Sequence, residues 1–341
     1  MLVIKEFLNN DSYQWNKYVN NHNDSTFYHL YEWRKIYEES YKLKTYYLGF
    51  YIADKLVGIL PSVIIDRPLT KSFAVSLPFS NYAGLLLEQS LSKEIVFESL
   101  LPFLKNKKIY GFENRSISFD ENNDSGEVTL KRILPTGVDI LWKDLDAKVR
   151  NQIRKAQRAG LNLRWGIDQL DELYNIYSHN MLSLGTPVHS RLFFDSICRI
   201  LKDYVDILTI RQEDKAIAAM LLVKFKKQLS DPVASSLKKY LSLNPNMLLY
   251  WGALQYGCEN GYEEFDFGRS NVNSGTYNFK LQWDAKQFNL SYDFYSLIGN
   301  KKKSTIASYR GSRAKMFSNV WKRIPYFMSL WIGPKLRKYI P

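Results

Sequence analysis

The chain has 341 residues, enough for two domains of ordinary size, and its 45% hydrophobic and 24% charged residues are globular proportions. Two cysteines and four histidines argue against a disulfide framework and a Cys- or His-rich metal site, and no apolar run reaches the ~20 residues that span a bilayer. The formal charge of +13 is concentrated, with 11 Lys or Arg and no Asp or Glu in residues 299–341, which excludes a basic fold wrapping nucleic acid along its whole length and points to one segment that meets an anionic surface.

The first ten residues offer no apolar stretch of useful length and carry Glu6, so no secretion signal is expected and the protein reads as cytoplasmic. The first predicted elements follow His29: a helix around Trp33, Ile36 and Tyr37, a strand at Tyr46–Ile52, a turn at Asp54-Lys55, and a strand at Val57–Ile65. The same order recurs at an offset of 160 residues without a gap. His189 opens it, followed by a helix around Phe193, Ser196 and Ile197, a strand at Asp206–Arg211, a turn at Asp214-Lys215, and a strand at Ile217–Phe225. Matched polar punctuation on a matched element order indicates internal duplication.

The first copy continues with short strands at Phe73–Val75 and Leu85–Leu87, a helix near Ser92–Lys105 and a strand at Ile109–Phe112. Within it, Ser76-Leu-Pro-Phe-Ser-Asn-Tyr-Ala-Gly84 is a structured loop whose polar tips are Asn81 and Tyr82. Between the copies, Lys148–Gly160 reads as a helix with Arg150, Arg154, Lys155 and Arg158 on one face and Gly160 as its stop. Such a face is either solvated or anion-binding, and the lack of acidic partners at helical spacing favours neither. The second copy adds a helix at Met247–Asn260 and a strand at Phe265–Phe267 that runs through Asp266 into Gly268 and Arg269. A second aromatic-rich run carries Tyr277, Phe279 and Lys280, and is read here as a strand linked to the first by the glycine turn.

Three of these stretches resemble motifs of the FemAB-like acyltransferases, two-lobed relatives of the GNAT acetyltransferases that join an activated acyl or aminoacyl group to an amine. They are the FDFGRS…GTYxFKxxW spacing at 265–283, the SLPFSNYAG loop at 76–84 and the KxRxxIRKAxxxGL segment at 148–161. The likeness runs from about Tyr28 to Asp293 and is greatest to the branch associated with surface polysaccharide biosynthesis. It implies an α/β fold of tandem GNAT-like lobes, each a mixed, mostly antiparallel sheet flanked by helices. The expected organisation is a first lobe at 1–145, a second lobe at 146–298 bearing the FDFGRS motif, and a basic, aromatic extension at 299–341.

Amide formation needs a deprotonated amine, a reachable carbonyl and a stabilised oxyanion, and neither a nucleophile triad, a dinucleotide fingerprint nor a metal. Lys280 is the first catalytic candidate, as a compact cation able to hold phosphate or developing negative charge. The resemblance implies that Phe279 and Lys280 hold the donor's terminal adenosine and serve transfer. Asp266 is the candidate proton acceptor, or else a structural partner of Arg269. Arg269 is a bidentate clamp for phosphate or carboxylate, or that same salt bridge. Tyr277 and Arg154 are further substrate-binding candidates, with Trp33, Asn81 and Tyr82 assigned to the acceptor side. His189 is a substrate-side residue or merely a helix entry. An isolated Lys on a strand is otherwise an exposed residue, so Lys280→Ala is expected to leave stability intact.

No permanent cofactor is expected. The Met247 helix follows Ser242-Leu-Asn-Pro-Asn246 rather than a glycine-rich pyrophosphate loop, which leaves both acyl-CoA and aminoacyl-tRNA open as co-substrates. The expected acceptor is an amine of a cell-envelope glycan, peptidoglycan-type or lipid-linked precursor. The competing reading is a non-catalytic glycan- or lipid-binding protein on the same fold. The basic tail at 301–341 interleaves Trp321, Phe327 and Trp331 with Lys and Arg. Three uses fit it: docking on an anionic membrane surface at the inner face, packing on the second lobe, or contact with tRNA phosphates.

Overall fold

Runs of Val, Ile, Leu and Tyr bounded by turn residues form the strands of this chain, and an apolar stripe at helical spacing forms most helices. The computed structural model describes residues 2–8, 11–67, 71–118, 126–296, 302–304 and 312–340. They divide into two compact units, one of Met1–Ser125, Leu290–Gly311 and Lys335–Pro341, the other of Gly126–Asn289 and Ser312–Pro334.

In chain order the first segment contains β1 (Leu2–Glu6), α1 (Ser12–Asn21), α2 (Trp33–Tyr41), β2 (Thr45–Ile52), β3 (Lys55–Ile65), β4 (Phe73–Val75), β5 (Leu86–Leu87), α3 (Lys93–Asn106) and β6 (Gly111–Ile117). The middle segment contains β7 (Glu127–Ile133), α4 (Val138–Asp144), α5 (Ala147–Arg158), β8 (Leu161–Trp165), α6 (Leu170–Leu184), α7 (Arg191–Ile200), β9 (Val205–Gln212), β10 (Lys215–Phe225), β11 (Gln228–Ser236), α8 (Pro245–Glu259), β12 (Glu264–Asn271) and α9 (Gly275–Leu281). Then follow β13 (Lys286–Ser296), β14 (Lys302–Ser304), α10 (Ser312–Trp321) and α11 (Tyr326–Arg337).

The first unit's sheet runs β1-β2-β3-β4-β6 and ends on residues 290–296 of β13. Its neighbours are antiparallel except β4 and β6, which pair parallel across the α3 crossover. The second unit's sheet runs β8-β9-β10-β11-β12-β7, with residues 286–289 of β13 beside β7. It too is antiparallel except for one pair, β11 and β12, joined by the α8 crossover. The fold is therefore α/β, with mostly antiparallel sheets flanked by helices, and the two strand orders correspond one to one. The last strand of each sheet comes from outside its own repeat: β7 precedes the second repeat, and β13 follows it.

The 160-residue offset holds to the residue in the central hairpin. β2 and β3 map onto β9 and β10 with identical bounds. Even the irregularity repeats: Phe50 and Tyr51 pair with Gly58 and Leu56, and Ile210 and Arg211 pair with Ala218 and Ala216. Each hairpin thus bulges at the equivalent residue, Val57 or Ile217. A bulge shifts every later side chain to the other face, so it survives only where both faces of the strand are specified.

Each unit has its own core. The first packs Leu48, Phe50, Leu60 and Ile64 of its sheet against Val96, Leu100 and Leu104 of α3. The second is larger and packs Leu208, Met220, Leu222 and Phe265 against Leu249, Ala253 and Leu254 of α8. α8 is buried and apolar on all sides from Met247 to Leu254. Of the two cysteines, Cys198 is buried and Cys258 half-buried, and both are free.

Of the 299–341 extension, residues 299–301, 305–311 and 341 lie outside the described residues. Residues 312–334 form most of two helices that pack on the end of α6 and the segment after it. The Ser318 hydroxyl donates to the Leu184 carbonyl at 3.1 Å, and the Tyr326 ring stacks on His179 with centroids 4.0 Å apart. Gly333 lies so close to Val188 that a Cβ would sit 2.9 Å from its side chain. Gly185 ends α6 with φ +75°, and a Cβ there would overlap the Ser318 hydroxyl and carbonyl. Gly185→Ala should therefore cost about 1–3 kcal/mol, combining left-handed strain with overpacking, measured by urea unfolding. An unchanged midpoint would mean that α10 does not rest on this turn.

Candidate functional site

The site is built where β11 and β12 part. Their parallel ladder holds only from Gln228↔Glu264 to Ser230↔Asp266. At that point each strand bulges against its outer neighbour. β11 does so at Asp231-Pro232, opposite β10, and β12 does so at Phe267-Gly268, opposite β7. Proline cannot donate to a ladder and glycine takes φ +70° here, so both bulges follow from sequence. Beyond the last pair the facing edges of β11 and β12 have no ladder partner in each other.

Three ionisable side chains are buried around this splay: Asp231, Asp266 and Lys280 are 6%, 2% and 7% exposed. Asp266 is fully engaged. Its Oδ1 accepts from Thr129 Oγ1 at 2.6 Å and from the Gly268 amide at 2.8 Å, which pins the bulge. Lys280 Nζ donates to the bulge carbonyls, Gly268 at 2.9 Å and Arg269 at 3.1 Å. Burial depresses its pKa and the Arg269 charge adds to that, while Asp231 and Asp266 oppose the shift.

Asp231 differs from Asp266. Its Oδ2 accepts a short hydrogen bond from the Tyr250 hydroxyl on α8, whereas its Oδ1 is buried without a hydrogen-bond partner among the described residues. Burial pushes its pKa up to about 8, helped by Asp266 and opposed by the Lys280 charge and the Tyr250 hydrogen bond. Ser270 Oγ, two residues beyond the β12 bulge, is likewise buried without a partner. Buried polar atoms in folded proteins are nearly always paired, so unpaired ones beside a strand splay mark a place built to meet something else. This arrangement can take a proton near neutral pH and can offer unladdered backbone N–H groups to an oxyanion.

The other sequence candidates fall as follows. Lys280, Phe279 and Tyr277 are on a helix, not a strand, because Ser274 caps it by accepting from the Tyr277 amide at 3.2 Å. The aromatic content suggests a strand, but the Ser274 cap decides for a helix. Phe279 packs on Tyr250, with centroids 5.2 Å apart, and Tyr277 donates to Gln287 Oε1 at 2.6 Å. Arg269 is exposed and its ion partner is Glu127, at 3.4 Å, rather than Asp266.

On α5, Arg150 is engaged by the Trp142, Lys143 and Leu145 carbonyls at the end of α4, and Arg154 lies over the Trp142 ring at 5.2 Å. His189 is buried, stacked on Phe193 at 4.7 Å, just before the Ser190 cap of α7. Trp33, Asn81 and Tyr82 belong to the first unit. Trp33 is 4% exposed and donates to the Phe27 carbonyl at 3.1 Å, Tyr82 packs with Leu290 and Tyr292, and the Asn81 carbonyl accepts from Tyr292 at 2.7 Å.

Asp231 and Tyr250 escape a reading by sequence. Ser230-Asp231-Pro232 looks like a turn, and only the alternation of Leu229, Asp231 and Val233 against Ser230 and Pro232 hints at a strand. Among the described residues no group of three or more His, Cys, Asp or Glu is placed to hold a metal ion.

Residues 143–281 match the family model of the acetyltransferase (GNAT) domain. No curated protein matches the chain in sequence. Among solved structures, FemX shares the fold at a TM-score of 0.66 and 11% identity, over 84% of this chain and 95% of that one. A tandem GNAT protein from the clavulanic acid biosynthesis pathway does so at 0.56 and 7% identity, over 88% and 100%. The C-terminal domain of a putative lysylphosphatidylglycerol synthetase from Agrobacterium fabrum does so at 0.52 and 13% identity, over 91% and 96%. The chain thus carries a GNAT acetyltransferase domain at 143–281, within a fold shared with FemX and with tandem GNAT proteins.

Proposed function

We propose that the protein is an N-acyltransferase that moves an acyl or aminoacyl group from an activated donor, acyl-CoA or aminoacyl-tRNA, to an amine of a glycan or lipid-linked envelope precursor. The observation that carries this reading is that the GNAT domain match spans the parting strands and the buried Asp231–Tyr250–Lys280–Asp266 group. A fold shared with a domain named for a lysyl-lipid product supports an aminoacyl donor and a lipid-linked acceptor.

In this mechanism the acceptor amine reaches the splay as an ammonium and gives its proton to the Asp231 carboxylate. Its lone pair attacks the donor carbonyl, the N–C bond forms, and the unladdered N–H groups of β11 and β12 hold the oxyanion. The C–S or C–O bond then breaks, and the proton shed by the acylated nitrogen goes to the leaving thiolate or alkoxide. Asp231 suits the acceptor role better than Asp266, whose Oδ1 already accepts two hydrogen bonds. Lys280 fixes the bulge and balances the two carboxyls. Arg269, exposed at the end of the bulge, and Arg154 on α5 supply cations for donor phosphates, and Tyr277 and Phe279 are further donor-side assignments. Trp33, Asn81, Tyr82 and His189 remain acceptor-side assignments.

The test is to offer the full chain acetyl-CoA or lysyl-tRNA with amino-sugar and aminolipid acceptors and to read products by mass spectrometry. Expected is the mass of the acyl group on the acceptor amine, with release of free CoA or tRNA. Binding of an acceptor with neither donor consumed would replace this reading by the non-catalytic one.

A further inference from the structure

Helices α10 and α11 each present two opposed faces. One is an anchor: Ser318 sits on Leu184 and Gly185, Trp321 is buried, and Tyr326, Ser329 and Gly333 line the inner side of α11. The other is apolar yet open to solvent. Met316 and Val320, one turn apart on α10, are 67% and 62% exposed, and Phe327 and Trp331, one turn apart on α11, are 70% and 67% exposed. The link between the helices adds Lys322 and Arg323, both exposed and without a carboxylate partner among the described residues. No acidic residue lies anywhere in 299–341 to oppose them. Met316, Val320 and Phe327 keep most of their apolar surface in solvent although the inner faces already supply the packing, and Trp331 is 67% exposed beside Phe327 on the same side of α11.

We propose that these outer faces dock on the surface of an anionic lipid bilayer. The mixture selects this partner. Apolar tips enter the boundary between headgroups and acyl chains, a Trp sits at headgroup level, and Lys and Arg meet anionic lipid. A nucleic acid would use the cations and Trp331 but has no place for Met316 and Val320. A protein partner would not require a segment free of acids. No described helix is long and apolar enough to cross a membrane, so the contact is peripheral. Each engaged basic residue multiplies partitioning by about fivefold, falling off as salt shortens the screening length. The inference does not depend on the transfer reaction, and its test measures no activity.

The experiment is co-sedimentation of the full chain with vesicles of phosphatidylcholine, with and without phosphatidylglycerol. The chain should pellet with the anionic vesicles at low salt, release at high salt and ignore the neutral ones. Lys322→Glu with Arg323→Glu should lower partitioning at least about 25-fold, two steps of fivefold. Phe327→Ser with Trp331→Ser should abolish binding. All four positions are exposed, so thermal melts of both variants should stay at the wild-type value. The proposal falls if the full chain stays in the supernatant, or if both folded variants bind like wild type. It falls equally if Phe327→Ser with Trp331→Ser disrupts a dimer, or Lys322→Glu with Arg323→Glu a tRNA complex, while wild type ignores the vesicles.

Discussion

Lys280→Ala should lower the unfolding free energy by about 3–5 kcal/mol, the cost of removing one partner from a buried charged group. The substitution strips the Gly268 and Arg269 carbonyls of their donor and removes the buried positive charge beside Asp231 and Asp266. This reverses the expectation from sequence, which treats the residue as exposed. At 7% exposure the ammonium holds the bulge carbonyls, so any loss of transfer in the variant includes the collapse of the bulge. The deficit should grow as pH rises through about 8, where Asp231 ionises and only the wild type keeps Lys280 to balance that charge. Urea unfolding of wild type and variant across pH reads both effects. A change under about 0.5 kcal/mol, the size of an ordinary surface substitution, would show that the bulge stands without the lysine.

Asp231→Asn separates chemistry from folding. It keeps the shape and the acceptor oxygen for Tyr250 but cannot take a proton, so transfer should fall by about 10²–10⁴-fold, the usual worth of a general base. The wild-type rate should climb with pH toward a plateau above the Asp231 pKa of about 8. The variant's residual rate should lack that limb. Stability runs the other way. A carboxyl whose native pKa is raised holds its proton more tightly folded than unfolded, so its contribution is complete below pH ~4 and is lost as pH rises through about 8. Asp231→Asn should flatten the wild-type decline over that window. Full activity in the variant with an unchanged pH profile would remove Asp231 from the reaction and return Asp266 to consideration.

Much of this architecture is legible in the chain itself. The 160-residue echo of His29–Ile65 in His189–Phe225 reflects one hydrophobic pattern used twice, and the hairpins repeat even the bulge at Val57 and Ile217. The β12 strand, its glycine bulge and the α8 crossover are local consequences of alternation, positive φ and a proline at the helix start. Local signals also mislead where two of them compete. Tyr277 and Phe279 favour a strand, whereas the Ser274 cap starts a helix.

Tertiary structure alone decides which charges share a site. Thr129, Asp231, Tyr250, Asp266 and Lys280 come from five separate elements, and their meeting depends on β7 joining β12 and on β11 lying parallel to it. Arg269 pairs with Glu127 rather than with its neighbour Asp266 for the same reason, since the β12–β7 register puts Arg269 opposite Thr129 and Glu127 diagonally across, two residues along β7. A sequence fixes the period of each strand, but the partner of a strand follows from how the whole core closes. Burial then turns an ordinary aspartate into one that titrates near pH 8, because the cost of burying its charge depends on what surrounds it and not on the residues beside it in the chain.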